Sequence, residues 1–323
     1  MLLAGDLGGT KTLLGLFRQT GHARPDVVAT HEFATLDFPG AADILTAFFE
    51  KTGTDSASID AACFGVPGPV IDQRVQLTNV DWGVDARELQ RTLGLRHVHL
   101  LNDLEAMAHV VPVLRDDELL VLQKGRKKEG GNGALLAAGT GLGQALLIHR
   151  DGGWRPSPSE GGHADFAART PREIELLQEL IRLYGRAQTE HIVCGPGLVN
   201  VARFTSRGQS FVFREGDAAD LPARITDAAL ENRCPHCVEA LELWVGAFGA
   251  AAGNFALAGL ATGGVYIGGG IPPKILPAFE TPTFLTAFNT KEPLDGVMRD
   301  MPVSIILNRH AGLDGTAVYA NTM

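Results

Sequence analysis

Leu3-Ala-Gly-Asp-Leu-Gly-Gly-Thr10 runs into the apolar stretch Leu13 to Phe17. An apolar run, a Gly/Thr turn and a second apolar run predict a β-hairpin whose turn is mostly backbone. The plan recurs where Leu135-Leu-Ala-Ala-Gly-Thr-Gly141 leads into Ala145 to Ile148. The turns Gly9-Thr10 and Gly139-Thr140 lie 130 positions apart (139 − 9), so two halves on one plan are expected. A Gly-rich turn after a buried strand lets backbone N–H groups approach phosphate, and Thr10 adds a hydroxyl. Asp6, at the strand end, is placed to face Mg2+ through water. A plain hairpin turn needs the same glycines, so the pattern alone leaves both readings open.

Around these hairpins the chain alternates strands and helices, which predicts an α/β fold with a largely parallel sheet beyond each hairpin. Ile59 to Val66 reads as a strand ended by Gly65-Val-Pro-Gly-Pro69, and His97 to Leu101 as another ended by Asn102-Asp103. A helix is expected from about Leu104, with Asp103 as its N-cap. A second helix is framed by Thr170, Pro171 and Glu173 at its start and Gly185 at its end, with Ile174, Leu177, Ile181 and Tyr184 as the apolar face. Gly263-Gly-Val-Tyr-Ile-Gly-Gly-Gly270 reads as a strand stopping at a triple-Gly loop.

Composition bounds the function. The 323 residues suffice for two domains, and 45% hydrophobic with 20% charged residues fits a globular protein. A net charge of −9 disfavours nucleic acid and anionic membrane as partners. The basic run Lys124 to Lys128 reads as a solvated loop. The start lacks the apolar core of a secretion signal. Leu243 to Ala261 is long and apolar but rich in Ala and Gly, with Asn254 inside it, and reads as a buried core helix. Cys63, Cys194, Cys234 and Cys237 are too sparse for a disulfide scaffold. Cys234-Pro-His-Cys237 has no partner pair for a four-ligand zinc site, so an exposed turn is the expectation.

Other patterns carry chemistry. Ala138-Gly-Thr-Gly-Leu-Gly143 has GxGxG spacing but is followed by a strand, which argues against a dinucleotide-binding turn, and no GxxxxGK[ST] string occurs. Asn102-Asp103 places a carboxylate at the mouth of a sheet, suited to accept a proton but equally suited to cap a helix. Glu160-Gly-Gly-His163 and Glu190 offer carboxylates and an imidazole able to hydrogen-bond several hydroxyls.

Taken together, GDLGGTKT at 5–12, GVPGPV at 65–70, LTN at 77–79, LLNDLEAMA at 100–108, AGTGLG at 138–143, EGGHADFA at 160–167, CGPGLVN at 194–200 and GGVYIGGGI at 263–271 resemble the bacterial glucokinase family. These are relatives of the ROK sugar kinases within the actin-like, hexokinase and Hsp70 ATPase superfamily. The resemblance implies two actin-like (ribonuclease H-like) α/β domains around a central cleft. The small one would take residues 1–105 plus about 308–323, and the large one 106–307. It implies transfer of the γ-phosphoryl group of ATP to the 6-hydroxyl of glucose, with Asp103 as general base and Asn102 on a neighbouring hydroxyl. Glu160, His163 and Glu190 would hold the other hydroxyls. Gly5, Asp6, Gly8, Gly9, Thr10, Gly139, Thr140 and Gly141 would surround the phosphates and their Mg2+, and Gly268, Gly269 and Gly270 the adenosine. The CxCGxxGCxE zinc motif of ROK kinases is missing, so no structural zinc is expected.

A cytoplasmic homodimer is expected. Phosphorylation of another hexose or an N-acetylhexosamine, or use of polyphosphate as donor, is the nearest alternative. A sugar-responsive repressor would need a DNA-binding segment before the first strand, for which a strand starting at about residue 2 leaves no room.

Overall fold

The structure, a computed structural model, describes residues 1–77, 80–207 and 220–323. Thr78 and Asn79 of the LTN string lie outside the described residues. The chain forms two units, Met1–Asp116 with His310–Met323, and Asp117–Arg309. Unit 1 opens with β1 (Leu2–Leu7), β2 (Lys11–Arg18), β3 (Asp26–Ala34), α1 (Ala41–Thr52) and β4 (Ala61–Val66). It continues with β5 (Arg74–Gln76), β6 (Gly83–Asp85), α2 (Ala86–Leu93), β7 (Val98–Asn102) and α3 (Asp103–Val110). Unit 2 contains β8 (Leu119–Gln123), β9 (Gly133–Ala138), β10 (Leu142–Arg150), β11 (Gly153–Ser159), α4 (Pro171–Tyr184), α5 (Gly195–Thr205) and α6 (Leu221–Leu230). Then come α7 (Pro235–Gly259), β12 (Gly264–Gly268), α8 (Leu276–Glu280), α9 (Thr283–Asn289), α10 (Asp295–Asp300) and β13 (Val303–Ile306), before α11 (Ala311–Ala320) returns to unit 1.

The main sheet of unit 1 has the order β3-β2-β1-β4-β7, and that of unit 2 the order β11-β10-β9-β12-β13-β8. In each, one strand pairs antiparallel within its hairpin and parallel with the next strand: β1 with β2 and β4, β9 with β10 and β12. The two glycine hairpins therefore occupy equivalent places. Strands β1 and β4 are apolar along nearly their whole length because both faces are covered. One face packs Leu3, Ile44, Phe48 and Phe64. The other packs Leu2, Cys63, Ala106, Leu313 and Ala317 beneath α3 and α11. Gly65 lets α3 approach β4, since a Cβ there would meet the Ala106 side chain.

Four expectations are corrected here. The first boundary falls at Asp116/Asp117 and not near 105, because α3 packs against α11 and β4 and stays with unit 1. On α4, Thr170 caps as expected and Gly185 ends the helix, but Leu176 and Leu180 are buried with Glu173. Ile174, Ile181 and Tyr184 are 46–49% exposed. The Glu173 carboxylate reaches the Arg169 N–H and guanidinium, which is why it tolerates burial. Cys234 is the N-cap of α7 and not part of an exposed turn; it and Cys237 are buried, and the Cys237 N–H donates to its Sγ at 3.4 Å. Burial and the neighbouring Cys234 push the Cys237 thiol up to about 12. The cap of α3 is Asn102, whose Oδ1 accepts from the Leu104 N–H at 2.9 Å and the Glu105 N–H at 3.4 Å. Asp103 is the first helical residue.

The apolar stretch near residue 250 lies in α7, which has the length and composition of a membrane span. Its Trp244, Phe248, Ala252 and Ala256 are buried in the core of unit 2.

Candidate active site

In unit 1 the glycine turn joins β1 to β2. The Gly8 N–H donates to the Lys11 carbonyl at 3.0 Å. A Cβ on Gly8 would strike that carbonyl, so only glycine closes the turn this tightly. Thr35, fully buried, holds the turn from the side. Its hydroxyl donates to the Gly8 carbonyl at 2.7 Å, its N–H donates to the Thr10 carbonyl at 3.0 Å, and its hydroxyl also meets Thr12 Oγ1 at 2.9 Å. Thr10 itself is exposed. Gly5 is not brought to the turn. It sits inside β1 opposite Leu14, and the Phe64 and Leu14 side chains fill the space a Cβ would need. It serves packing, against the expectation that it lines the phosphates.

Asp6, the last residue but one of β1, pairs with Gly65 of β4. Part of its surface stays accessible, yet protein atoms crowd its carboxyl. Burial, and then the charge of Asp103, raise its pKa to about 6. A Cβ on Gly312, in the first turn of α11, would lie 3.0 Å from Asp6 Oδ2, so that glycine makes room for the carboxylate. Asp103 follows β7, and its Oδ1 accepts from the Leu104 N–H at 2.8 Å. Asn102 Nδ2 donates to the Gly68 carbonyl at 3.1 Å, tying the strand end to the GVPGPV loop. Unit 1 thus places two carboxylates, an amide and a glycine turn at the carboxyl ends of its parallel strands.

In unit 2, β9 and β10 are joined by Gly139-Thr140-Gly141, with the Gly139 N–H donating to the Gly141 carbonyl at 2.9 Å. The Gly195 N–H at the start of α5 donates to the Gly139 carbonyl at 2.9 Å. Gly268 ends β12 opposite Ala137 of β9, and the Ile271 N–H donates to the Ala138 carbonyl. Gly269 has φ +94 and lies so close to Ala138 that a Cβ would collide with its backbone. The triple-glycine turn is thereby seated against the Gly139 turn. A Cβ on Gly139 or Gly270 meets nothing within 4 Å, so both turns present open space above the backbone.

Glu160, His163 and Glu190 come together beside this turn. His163 Nδ1 lies 3.8 Å from Glu190 Oε1, and Nε2 lies 3.9 Å from Glu160 Oε2. The imidazole is steered by Gln188, whose Oε1 is 2.8 Å from Nδ1. A Cβ on Gly162 would collide with the Leu142 backbone, and one on Gly161 would displace the Gln144 side chain. Glu190 Oε2 accepts from the Leu142 N–H at 2.7 Å, and a Cβ on Gly141 would press on the same oxygen. Cys194 donates its thiol to the Glu190 carbonyl at 3.0 Å and accepts from the Gly197 N–H at 3.2 Å. Burial pushes that thiol up to about 11, so it acts as a neutral buried link. Gln188, Thr35 and Gly312 were missed in the sequence. Cys194 and Gly195 stand in the CGPG string, the one sequence signal for this packing.

Among the described residues no group of three or more His, Cys, Asp or Glu is arranged to hold a metal ion. A hydrated Mg2+ bound chiefly to phosphates needs no such cage. The charge of Asp103 raises the cost of ionising Asp6, a cost that a divalent cation nearby would relieve.

The glucokinase family model matches residues 3–323. The glucokinase of Nostoc punctiforme is 37% identical over 99% of this chain and 98% of its own length. The crystal structure of a glucokinase from an Antarctic psychrotroph is 26% identical and superposes with a TM-score of 0.87, covering 100% of this chain and 99% of its own. A ROK family glucokinase from Streptomyces griseus, solved in complex with glucose and AMPPNP, shares the fold at 21% identity with a TM-score of 0.64, covering 100% of this chain and 99% of its own. The architecture is that of the actin-like ATPases. The chain belongs to the glucokinase family and is a sugar kinase, a phosphotransferase.

Proposed function

We propose that this chain transfers the γ-phosphoryl group of ATP to the 6-hydroxyl of glucose, with Asp103 as the base. The observation that carries the reading is the placing of Asp6 and Asp103 at the carboxyl ends of β1 and β7, on either side of β4, close enough for the charge of Asp103 to raise the pKa of Asp6. A sugar hydroxyl is a weak nucleophile. Asp103 accepts its proton as the hydroxyl oxygen bonds to the γ-phosphorus and the bond to the β-phosphate oxygen breaks, releasing ADP. Asn102 caps α3 through the Leu104 and Glu105 N–H groups, so the helix start keeps a cap when Asp103 is replaced. Glu160, His163 and Glu190 hold the remaining hydroxyls. Gly8, Gly9, Thr10, Gly139, Thr140 and Gly141 offer backbone and hydroxyl donors to the phosphates, and Gly268, Gly269 and Gly270 leave room for adenosine. Asp6 would hold Mg2+ through water, and the ion would offset charge on the β- and γ-phosphates.

A coupled ADP-release assay over a panel of hexoses and N-acetylhexosamines, with ATP or polyphosphate as donor, tests the assignment. Glucose with ATP should give the highest kcat/KM; preference for another sugar or donor would redirect it. The same reading makes the enzyme cytoplasmic and homodimeric. The dimer is supported by the exposed apolar stripe Ile174, Ile181 and Tyr184 on α4. Light scattering on Ile181→Glu should show a monomer, and an unchanged mass would remove this helix from the interface.

A further inference from the structure

β7 is the edge strand of the unit 1 sheet, and it carries Asn102 at its end and Asp103 just beyond. An edge strand has backbone groups with no ladder partner. The Ala62 N–H donates to the His97 carbonyl, so odd-numbered residues of β7 turn towards β4 and Leu100 turns outward. Its groups are taken by one side chain. Gln73 Oε1 accepts from the Leu100 N–H at 2.7 Å, and Gln73 Nε2 approaches the Leu100 carbonyl at 3.4 Å. The carboxamide thus mimics the peptide group of an absent neighbouring strand. The same Nε2 lies 3.3 Å from His99 Nε2, which also meets the Tyr319 hydroxyl at 3.1 Å. An amide nitrogen only donates, so His99 accepts there and is neutral. Burial lowers its pKa, in agreement.

The backbone at Gln73 makes this arrangement costly. Ile71 and Arg74 exchange hydrogen bonds at 3.0 and 2.9 Å across a two-residue turn. Asp72 has φ +50 and Gln73 φ +61. Such a turn favours Asn-Gly, and a glutamine in the left-handed region is strained. Strain retained at one position points to a role for the side chain placed there. Gln73 also accepts from the Ala86 N–H through its own carbonyl at 3.1 Å, so one residue ties the turn, the start of α2 and the strand leading to Asp103.

We propose that Gln73 is a positioning residue for phosphoryl transfer: its carboxamide substitutes for a missing strand on the open edge of β7 and fixes the place of Asn102 and Asp103 against the 68–77 segment. The inference rests on Asp103 being the base. Gln73→Gly deletes the carboxamide and at the same time relieves the left-handed backbone. Its thermal midpoint should equal or exceed the parent's, while kcat with glucose falls about 10- to 100-fold, as misplacement of a reacting group does. The KM for ATP should stay within about twofold, since Gln73 touches no residue of the glycine turns.

Parental kcat in Gln73→Gly overturns the proposal, and so does a midpoint that falls along with activity. Asp103→Asn and the double variant are assayed beside it. With the base removed, adding Gln73→Gly should cost little more. An undiminished further loss overturns the proposal. Parental turnover in Asp103→Asn overturns the base assignment and this inference with it. A collapse in Asp103→Asn beside a parental Gln73→Gly overturns the inference alone.

Discussion

The turns Gly8–Thr10 and Gly139–Gly141 close equivalent hairpins with similar residues, but different groups hold them. In unit 1 the buried Thr35 takes up the turn's carbonyls from the side, Gly8 with its hydroxyl and Thr10 with its N–H. In unit 2 a carboxylate, Glu190, takes the N–H just after the turn, and the start of α5 takes the Gly139 carbonyl. Glu190 also faces His163. The second turn is thus joined to the proposed sugar-binding group, while the first is tied to the buried Thr35 and follows directly on the strand that carries Asp6. On the proposed reading, unit 1 supplies the charge for the reaction, and unit 2 couples recognition of the sugar to its own glycine turn.

The largest effect should come from the reacting pair. Asp103→Asn removes the proton acceptor, so turnover should fall by ~10²–10⁴-fold. Asn102 keeps the cap, so the thermal midpoint should change little. Near-parental turnover would mean that Asp103 only assists the helix start. Next comes the open face of the second turn. Gly139→Val fills the space above it, so ATP should bind poorly while glucose binding survives, as isothermal titration with each ligand would show. Normal ATP use in a folded Gly139→Val protein would remove this turn from the phosphate site.

The coupling itself is broken at Glu190. Losing a hydrogen bond to a charged group costs about 1.5–3 kcal/mol. Glu190→Ala should therefore raise the KM for both glucose and ATP, whereas Glu160→Gln should raise that for glucose alone. If both variants affect only glucose, the Leu142 contact transmits nothing to the phosphates. In the first turn, Thr35→Val strands the Gly8 carbonyl and should destabilise unit 1 by about 1–3 kcal/mol in denaturant titration. No loss would show that the turn holds itself.

The remaining effect is a pH dependence of stability. The Asp6 pKa is raised from 3.8 to about 6 in the fold. The folded protein binds that proton more tightly, so this stabilising contribution is complete below 3.8 and disappears as pH rises through 6. Over that window it amounts to about 1–3 kcal/mol. Asp6→Asn should flatten this part of the stability curve; an unchanged curve would assign the slope to other groups.

Sequence alone determined the two hairpins, the α/β alternation and the residue types of the site. Those signals are local: glycine where backbone must turn sharply, proline and threonine at a helix start, apolar runs where strands are covered on both faces. Tertiary structure decided which partners these signals meet. Spacing on α4 marks two apolar faces, and only packing chose Leu176 and Leu180 over Ile174 and Ile181. Adjacent Asn102 and Asp103 are both good caps, and only the way β7 enters α3 gave that task to Asn102. Gly5 and Gly8 look alike in one string, yet one is surrounded by Phe64 and Leu14 and the other closes a turn. Glu190 stands 48 residues beyond Leu142, and no pattern in the chain links them. Contacts between distant segments depend on how strands pair and helices pack, and a local string does not encode them.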